Sequence, residues 1–156
     1  MRGMNNEQAP QPSTRWRVGR ALCVVAPVTY GLLTGAIDVL DPHHLGNPDW
    51  PGHARLHFMW AISFMFCSGL ANLYYLWLRP LGLGALRLCW VWQATSLLGG
   101  FWTAVVLADL YGGTIRDPEH HATILGVNEN VLVFGALAVL LVGVAPLLRP
   151  RVDAAV

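Results

Sequence analysis

The sequence is poor in charged residues and contains no lysine. Charged residues make up 12% of the chain, whereas a soluble domain contains about 25%. Hydrophobic residues account for 54%. A chain with so little charge and so much apolar surface is not expected to be soluble in water, so this composition excludes an ordinary soluble domain and indicates a membrane protein.

The sequence also lacks the motifs that would identify many functions. It contains no glycine-rich nucleotide-binding motif, no nucleic-acid-binding motif and no internal repeat. Its three cysteines, Cys23, Cys67 and Cys89, lie within or beside apolar segments, so none is placed to form an extracellular disulfide. We therefore expect no nucleotide cofactor and no nucleic-acid partner.

Four apolar segments are long enough to cross a membrane as helices. They cover approximately residues 21–40, 56–78, 86–110 and 127–148. About 20 helical residues, at 1.5 Å each, cross a hydrocarbon core of about 30 Å, and transmembrane strands would be shorter and would alternate in polarity. We predict an all-α polytopic membrane protein with a four-helix transmembrane bundle at 15–150. The flanking segments 1–14 and 151–156 are predicted to be cytoplasmic tails, the first disordered.

The distribution of arginine predicts the orientation in the membrane. Eight of the ten arginines lie before the first segment, between the second and third, or after the fourth: Arg2, Arg15, Arg17, Arg20, Arg79, Arg87, Arg149 and Arg151. Only Arg55 and Arg116 lie on the opposite side. Because arginine-rich ends stay in the cytoplasm, we predict that both termini are cytoplasmic. The stretch "NPDWPGHARLH", residues 47–57, then faces outward from a bacterial plasma membrane.

The first apolar segment permits a second interpretation. Residues 15–36 combine a basic start, an apolar run and small residues at 34–36, a pattern that also occurs in cleaved secretory signal peptides. Cleavage would leave three spans, with the termini on opposite sides of the membrane. The apolar run is longer than most signal-peptide cores, which favours four spans.

The titratable residues are concentrated on the predicted outer side, which holds all six histidines and seven of the nine acids. Residues three or four apart share a helix face, so His53 and His57 lie on one face of the second segment. That face continues through Phe64, Ser68 and Asn72. Faces with small and polar residues pack against other helices, so we expect ionisable groups to converge at the outer mouth of the bundle. The predicted catalytic groups are Asp38, His53, His57, Asp109 and Glu129.

Three roles remain open for His53 and His57. Their spacing of four residues lets two imidazoles on a helix bind one divalent metal ion, with Glu129 as a candidate further ligand. Acid–base chemistry or hydrogen bonding is the second role, and a structural or interfacial position is the third. The intervening residues contain no glutamate that would serve as a base, as in metalloproteases.

Other residues near the outer mouth are candidates for substrate contacts. Pro48 and Pro51 suit a turn that leads into a helix, and a tryptophan between them can anchor at the membrane interface. Two asparagines flank Glu129 and supply donors that would orient its carboxylate. The predicted substrate-binding residues are Trp50, Arg55, Trp60, Trp102, Asn128 and Asn130.

The stretch "WPGHARLH", residues 50–57, precedes a long apolar helix and resembles a W-P-x-H-A-R-x-H pattern in small four-helix bacterial membrane proteins. That resemblance implies that the loop and the second helix form one unit, and it implies no activity. The predicted architecture is also similar to that of sterol isomerases and sigma-2-type receptors. Those proteins hold hydrophobic amines or sterols beside buried acids, which implies a lipophilic ligand by architectural analogy.

Two classes of function fit these observations. In the first, a membrane enzyme takes up a lipophilic small molecule and isomerises, cyclises or hydrolyses it at the polar mouth, by acid–base or metal-assisted chemistry. In the second, the protein is a noncatalytic accessory subunit, a ligand-binding protein or a proton-coupled carrier. The apolar segments carry no deep charge below the mouth, which argues against an ion pathway, although the polar side chains of Asn72 and Gln93 keep this alternative open. Membrane lipids are the expected partners, and a lipophilic small-molecule ligand, a partner subunit and a second copy of the chain are the further candidates.

Overall fold

The computed structural model describes residues 13–78, 82–115 and 123–149. These residues form four long helices and one short one: α1 (Thr14–Leu40), α2 (Gly52–Leu78), α3 (83–106), α4 (Ala108–Tyr111) and α5 (Glu129–Leu148). A small antiparallel hairpin of β1 (Thr123–Ile124) and β2 (Val127–Asn128) precedes α5. Residues 1–12, 79–81, 116–122 and 150–156 lie outside the described residues; they include most of the predicted 1–14 tail, all of the predicted 151–156 tail, Arg79 and Arg116.

Three of the described helices, α1, α2 and α5, are long and apolar enough to cross a membrane. Large apolar side chains cover their outward surfaces; Ile37, Leu70 and Val139, for example, are 57%, 46% and 75% exposed. Such a surface is stable in lipid, where helices satisfy their own backbone hydrogen bonds. The prediction of a helical integral membrane protein is confirmed at this level. The remaining long helix, α3, which contains Arg87 and Gln93, is not among these three.

The helix boundaries differ from the predicted apolar segments for local reasons. α1 begins at Thr14, where the Ser13 side chain accepts a hydrogen bond from the Trp16 amide at 3.4 Å, so the helix extends beyond its apolar part. α5 begins at Glu129 rather than at Val127, because β2 takes up Val127 and Asn128. Helix capping and hairpin pairing determine where these helices begin, and neither can be predicted from hydropathy.

Short π-helical segments interrupt three of the long helices, at Pro27–Thr34 in α1, Tyr74–Leu78 in α2 and Gln93–Leu98 in α3. Pro27, which has no backbone N–H to donate, begins the segment in α1. The Thr34 hydroxyl donates to the Thr29 carbonyl five residues earlier, at 3.1 Å. Each wider turn rotates the following residues relative to a regular helix, which changes the face that they present.

Two glycines form a close backbone contact between α1 and α2. A Cβ atom placed on Gly31 would lie 2.9 Å from the Gly69 Cα atom, and one placed on Gly69 would lie 3.1 Å from the Pro27 carbonyl oxygen. Neither position accommodates a side chain without a shift of the backbone. Glycine at both positions therefore lets the two backbones touch, as in other closely packed membrane helices.

Two buried clusters fill the bundle. The first surrounds the fully buried Tyr30 and contains residues of α1, α3 and α5, including a stacked pair in which the ring centroids of Phe101 and Phe134 are 3.9 Å apart. The second lies nearer the starts of α1 and α3 and contains Cys23, Leu76, Leu86, Cys89, Val144 and Leu148. Residues from all four long helices thus contribute to a single packed bundle.

Candidate functional site

The loop before α2 is held by an aromatic cluster. The His44 ring stacks parallel to Phe58, with centroids 5.4 Å apart, and Trp50 packs edge-on against Phe58 at 5.3 Å. The Asp41 carboxylate lies 3.4 Å from the His44 ring nitrogen Nδ1. Trp50, which we predicted as a substrate contact, is half-buried in this cluster. Its observed contacts join the loop to the first turns of α2.

Arg55 binds the same loop through its backbone. Its Nη2 donates to the Asn47 carbonyl at 2.7 Å and to the Pro48 carbonyl at 3.2 Å. In the part of the chain that the structure describes, Arg55 forms no ion pair with Asp109 or Glu129. The arginine of the "WPGHARLH" stretch therefore restrains the loop that precedes its own helix.

His53 and His57 contact each other on the first turns of α2. Their Nε2 atoms are 3.0 Å apart, and the two rings are nearly perpendicular, with centroids 4.5 Å apart. A neutral imidazole has one N–H donor and one acceptor nitrogen, so one ring donates to the other. Both side chains are exposed, and the His57 ring lies 6.0 Å from the exposed Trp60 ring. The pair is thus accessible to a molecule in solvent or at the membrane surface.

The other predicted catalytic groups do not join this pair. Asp38 is half-buried near the end of α1, and its electrostatic partners are His44 and Asp41. Asp109 on α4 and Glu129 at the start of α5 are exposed. Within 13–78, 82–115 and 123–149, no three His, Cys, Asp or Glu side chains come together in a group that could hold a metal ion. The two Nε2 atoms have a separation suited to adjacent ligands of one metal, but the described residues add no third ligand.

The predicted contact residues near α5 have observable local roles. The Asn128 side chain accepts a hydrogen bond from the Asn130 amide at 2.9 Å and donates to the Ile115 carbonyl at 3.0 Å. It therefore caps α5 and joins it to the end of the preceding described segment. Trp102 packs against Phe101, with centroids 5.2 Å apart, at the edge of the Tyr30 cluster.

A cleft of about 480 Å³ lies between α2 and α3. Its lining is mostly apolar and aromatic and includes Phe64 and Trp92, whose ring centroids are 6.2 Å apart. Ser68 and Asn72 supply buried polar groups, with side chains 7% and 4% exposed. A few fixed polar groups in an apolar cavity of this size are typical of a small-molecule site.

Two amides are paired beside this cleft. The Gln93 Nε2 donates to the Asn72 Oδ1 at 3.2 Å, and the Asn72 Nδ2 donates to the Ser68 carbonyl at 2.8 Å. Gln93 is fully buried, and its Oε1 has no hydrogen-bond partner in the described part of the chain. Sequence analysis placed Phe64, Ser68 and Asn72 on one face of α2, but it did not pair that face with α3. The sequence does contain a signal for this pair, since each of the consecutive apolar segments 56–78 and 86–110 has one amide side chain, Asn72 and Gln93.

A second cleft, of about 450 Å³, lies between α1 and α2. Its walls include Val39, Ile62 and Phe66, and its lining contains no buried polar residue. The two clefts have similar volumes. They differ because the cleft between α2 and α3 is lined by a buried amide side chain, that of Asn72, and the cleft between α1 and α2 is not. The cleft between α2 and α3 is therefore the better candidate for selective binding.

The chain matches no protein-family model, no curated protein and no solved structure. The resemblances noted from the sequence stay predictions. The candidate site is therefore defined by geometry alone, and it consists of the His53–His57 pair and the cleft lined by Asn72.

Proposed function

We propose that the protein crosses a bacterial plasma membrane four times, with both termini in the cytoplasm and the 47–57 loop outside. The arginine distribution supports this orientation, because Arg15, Arg17, Arg20, Arg87 and Arg149 all belong to one end of the bundle. The length of α3 and its packing among the other helices support a fourth span, although α3 is the least apolar of the four.

Cysteine labelling on intact cells tests this orientation. In a Cys67→Ala background, which removes the exposed native thiol, a membrane-impermeant maleimide should label Asp49→Cys and should not label Arg17→Cys. Both positions are exposed, so the two variants are matched in accessibility. Labelling of Arg17→Cys but not of Asp49→Cys would invert the proposed topology.

We further propose that the protein binds a lipophilic small molecule in the cleft between α2 and α3 and carries out acid–base chemistry on it at the histidine pair. The observation that carries this proposal is the alignment of both features on α2. Positions 53, 57, 64, 68 and 72 fall within an arc of about 100°, because successive residues turn by about 100°. At 1.5 Å per residue, His57 lies roughly 10 Å above Phe64 along the helix axis.

The histidine pair has the chemical groups that proton transfer requires. When both rings are neutral, the Nε2–H of one donates to the Nε2 of the other, so the first ring can take up a substrate proton at its Nδ1 while the shared proton crosses to the second ring, which releases a proton from its Nδ1. An isomerisation needs both steps and leaves the number of protons on the pair unchanged, with the donor and acceptor rings exchanged. The apolar cleft would hold the rest of the substrate, while Asn72 would bind a hydroxyl or carbonyl group on it.

Lipids that copurify with the protein test the binding step. Ala71 lines the cleft, so Ala71→Trp should fill it. Ala136→Trp is the matched control, since it adds the same ring to an exposed position of α5. We expect mass spectrometry to find a lipophilic compound that is enriched with wild type and with Ala136→Trp but lost from Ala71→Trp. Equal recovery from all three proteins would contradict binding in this cleft.

A noncatalytic ligand-binding protein is the second candidate function. Two observations favour this alternative: His53 and His57 are exposed, and within the described residues no third His, Cys, Asp or Glu groups with them. The recovered compound distinguishes the two functions. If wild type converts it and a His53→Ala, His57→Ala double variant does not, the pair is catalytic. Unchanged compound with both proteins would identify a binding protein.

A further inference from the structure

Two arginines lie across helix ends at the predicted cytoplasmic side. Arg20 of α1 donates from Nε to the Leu76 carbonyl and from Nη2 to the Trp77 carbonyl at 3.0 Å, at the end of α2. Arg87 of α3 donates from Nε to the Leu148 carbonyl at 2.7 Å, at the end of α5. The last carbonyls of a helix have no partner within the helix and carry partial negative charge, so each arginine stabilises the end that it binds.

These contacts use only part of each guanidinium group. Arginine has five N–H donors, and the Nη2 atom of Arg87 is buried with no hydrogen-bond partner among the described residues. A buried charged donor without a partner is costly. Arg20 is also positioned by aromatic rings, with its guanidinium carbon 5.4 Å from the Trp16 ring centroid and 5.0 Å from that of Trp77.

The positive charge at this end is not balanced by the described part of the chain. No described carboxylate forms an ion pair with Arg20, Arg87 or Arg149. The described acids all belong to the opposite end of the bundle or to its loops: Asp38, Asp41, Asp49, Asp109 and Glu129. A bound anion would supply the counter-charge that the described residues lack.

Helix packing brings the three arginines to one region. A Cβ atom placed on Gly19 would lie 3.3 Å from a methyl group of Leu148, so α1 and α5 are in close contact beside Arg20 and Arg149. Arg87 reaches the same part of α5 through the Leu148 carbonyl. α1, α3 and the residue that follows α5 thus contribute one arginine each near the end of α5.

We propose that Arg20, Arg87 and Arg149 bind the phosphate group of an anionic phospholipid from the cytoplasmic leaflet. Guanidinium groups bind phosphate oxygens through paired hydrogen bonds, and basic pockets between helices at the cytoplasmic side bind lipid headgroups. The neighbouring surface favours a lipid over free phosphate. Trp77, Leu78 and Leu88 are 61%, 75% and 68% exposed, so acyl chains would contact exposed apolar side chains beside Arg20 and Arg87. The choice of leaflet rests on the proposed orientation, whereas the phosphate site itself does not.

Native mass spectrometry of the full chain in a neutral detergent tests the site. Phosphatidylglycerol should remain bound to wild type under conditions that remove phosphatidylcholine with the same acyl chains. Arg87→Gln should bind phosphatidylglycerol roughly tenfold more weakly, or by about 1.4 kcal/mol. Arg17→Gln is the matched control, because it removes an exposed arginine from the same end. We expect it to retain most of the affinity.

Three results would overturn the proposal. Equal retention of both lipids by wild type would exclude a specific phosphate site, and this comparison does not depend on the folding of any variant. An equal loss in Arg17→Gln and Arg87→Gln would indicate general surface charge. Thermal stabilisation by inorganic phosphate alone that equals the stabilisation by phosphatidylglycerol would identify an anion site that needs no lipid. None of these outcomes depends on the cleft between α2 and α3, so this proposal and the proposed ligand site can fail separately.

Discussion

Replacement of Gly31 by alanine tests the close approach of α1 and α2. The new Cβ would lie 2.9 Å from the Gly69 Cα and 3.3 Å from the Met65 carbonyl oxygen, both backbone atoms that cannot rotate away. Carbon atoms in ordinary contact are about 3.5–4.0 Å apart, so the helices must separate by roughly 1 Å. Such overpacking costs about 1–3 kcal/mol. The higher helix propensity of alanine offsets about 0.5–1 kcal/mol of this, which leaves a net loss of about 0–2.5 kcal/mol, with a midpoint slightly above 1 kcal/mol.

The loss can be measured as the free energy of unfolding in mixed micelles, with dodecyl sulfate as the denaturant and far-ultraviolet circular dichroism as the signal. Gly143→Ala is the matched control, because a Cβ atom there would have no neighbour within 4 Å. We expect that variant to be as stable as wild type or slightly more stable. If Gly31→Ala and Gly143→Ala unfold at the same denaturant fraction, the argument from backbone contact is wrong.

Three further predictions concern the loop, the buried amides and the histidine pair. Arg55→Gln should weaken both hydrogen bonds to the loop and raise amide hydrogen exchange at 43–50, with little change in the helices; unchanged exchange in the loop would contradict its restraining role. Asn72→Leu should destabilise the bundle more than Gln93→Leu. The first variant leaves the whole side-chain amide of Gln93 without a partner, whereas the second removes the Gln93 Oε1 atom, which already lacks one among the described residues. Equal unfolding free energies would refute this asymmetry. His57→Phe should preserve the fold and abolish conversion of the copurified compound, whereas retained turnover would remove His57 from the proposed chemistry.

Hydropathy and helix periodicity predicted most of the architecture. Long apolar runs have few stable alternatives to helices in a membrane, because every backbone polar group must find a partner within its own segment. The four predicted segments correspond to α1, α2, α3 and α5, and three of these are apolar enough to cross a membrane. The ends of α1 and α5 were less predictable, because the Ser13 and Asn128 caps set them.

The candidate site was only partly predictable from the same patterns. The spacing of His53 and His57 correctly placed the two rings on one face of α2, since that relation depends only on helix geometry. The prediction that Asp38, Asp109 and Glu129 gather around these histidines depended on how the helix ends and loops turn, which helix periodicity does not specify. In the structure Asp109 and Glu129 are exposed, and Asp38 interacts with the loop residues His44 and Asp41.

The sequence by itself determined that the chain is an apolar helical protein, with histidines and acids towards one end and arginines towards the other, because composition and periodicity act locally. The tertiary structure alone decided which polar groups meet. It paired Asn72 with Gln93 beside a cleft, joined Arg55 to the loop carbonyls, and directed Arg20 and Arg87 to the ends of other helices. These partners are far apart in the chain or depend on loop geometry. Their contacts therefore arise from helix packing, and no single segment encodes them.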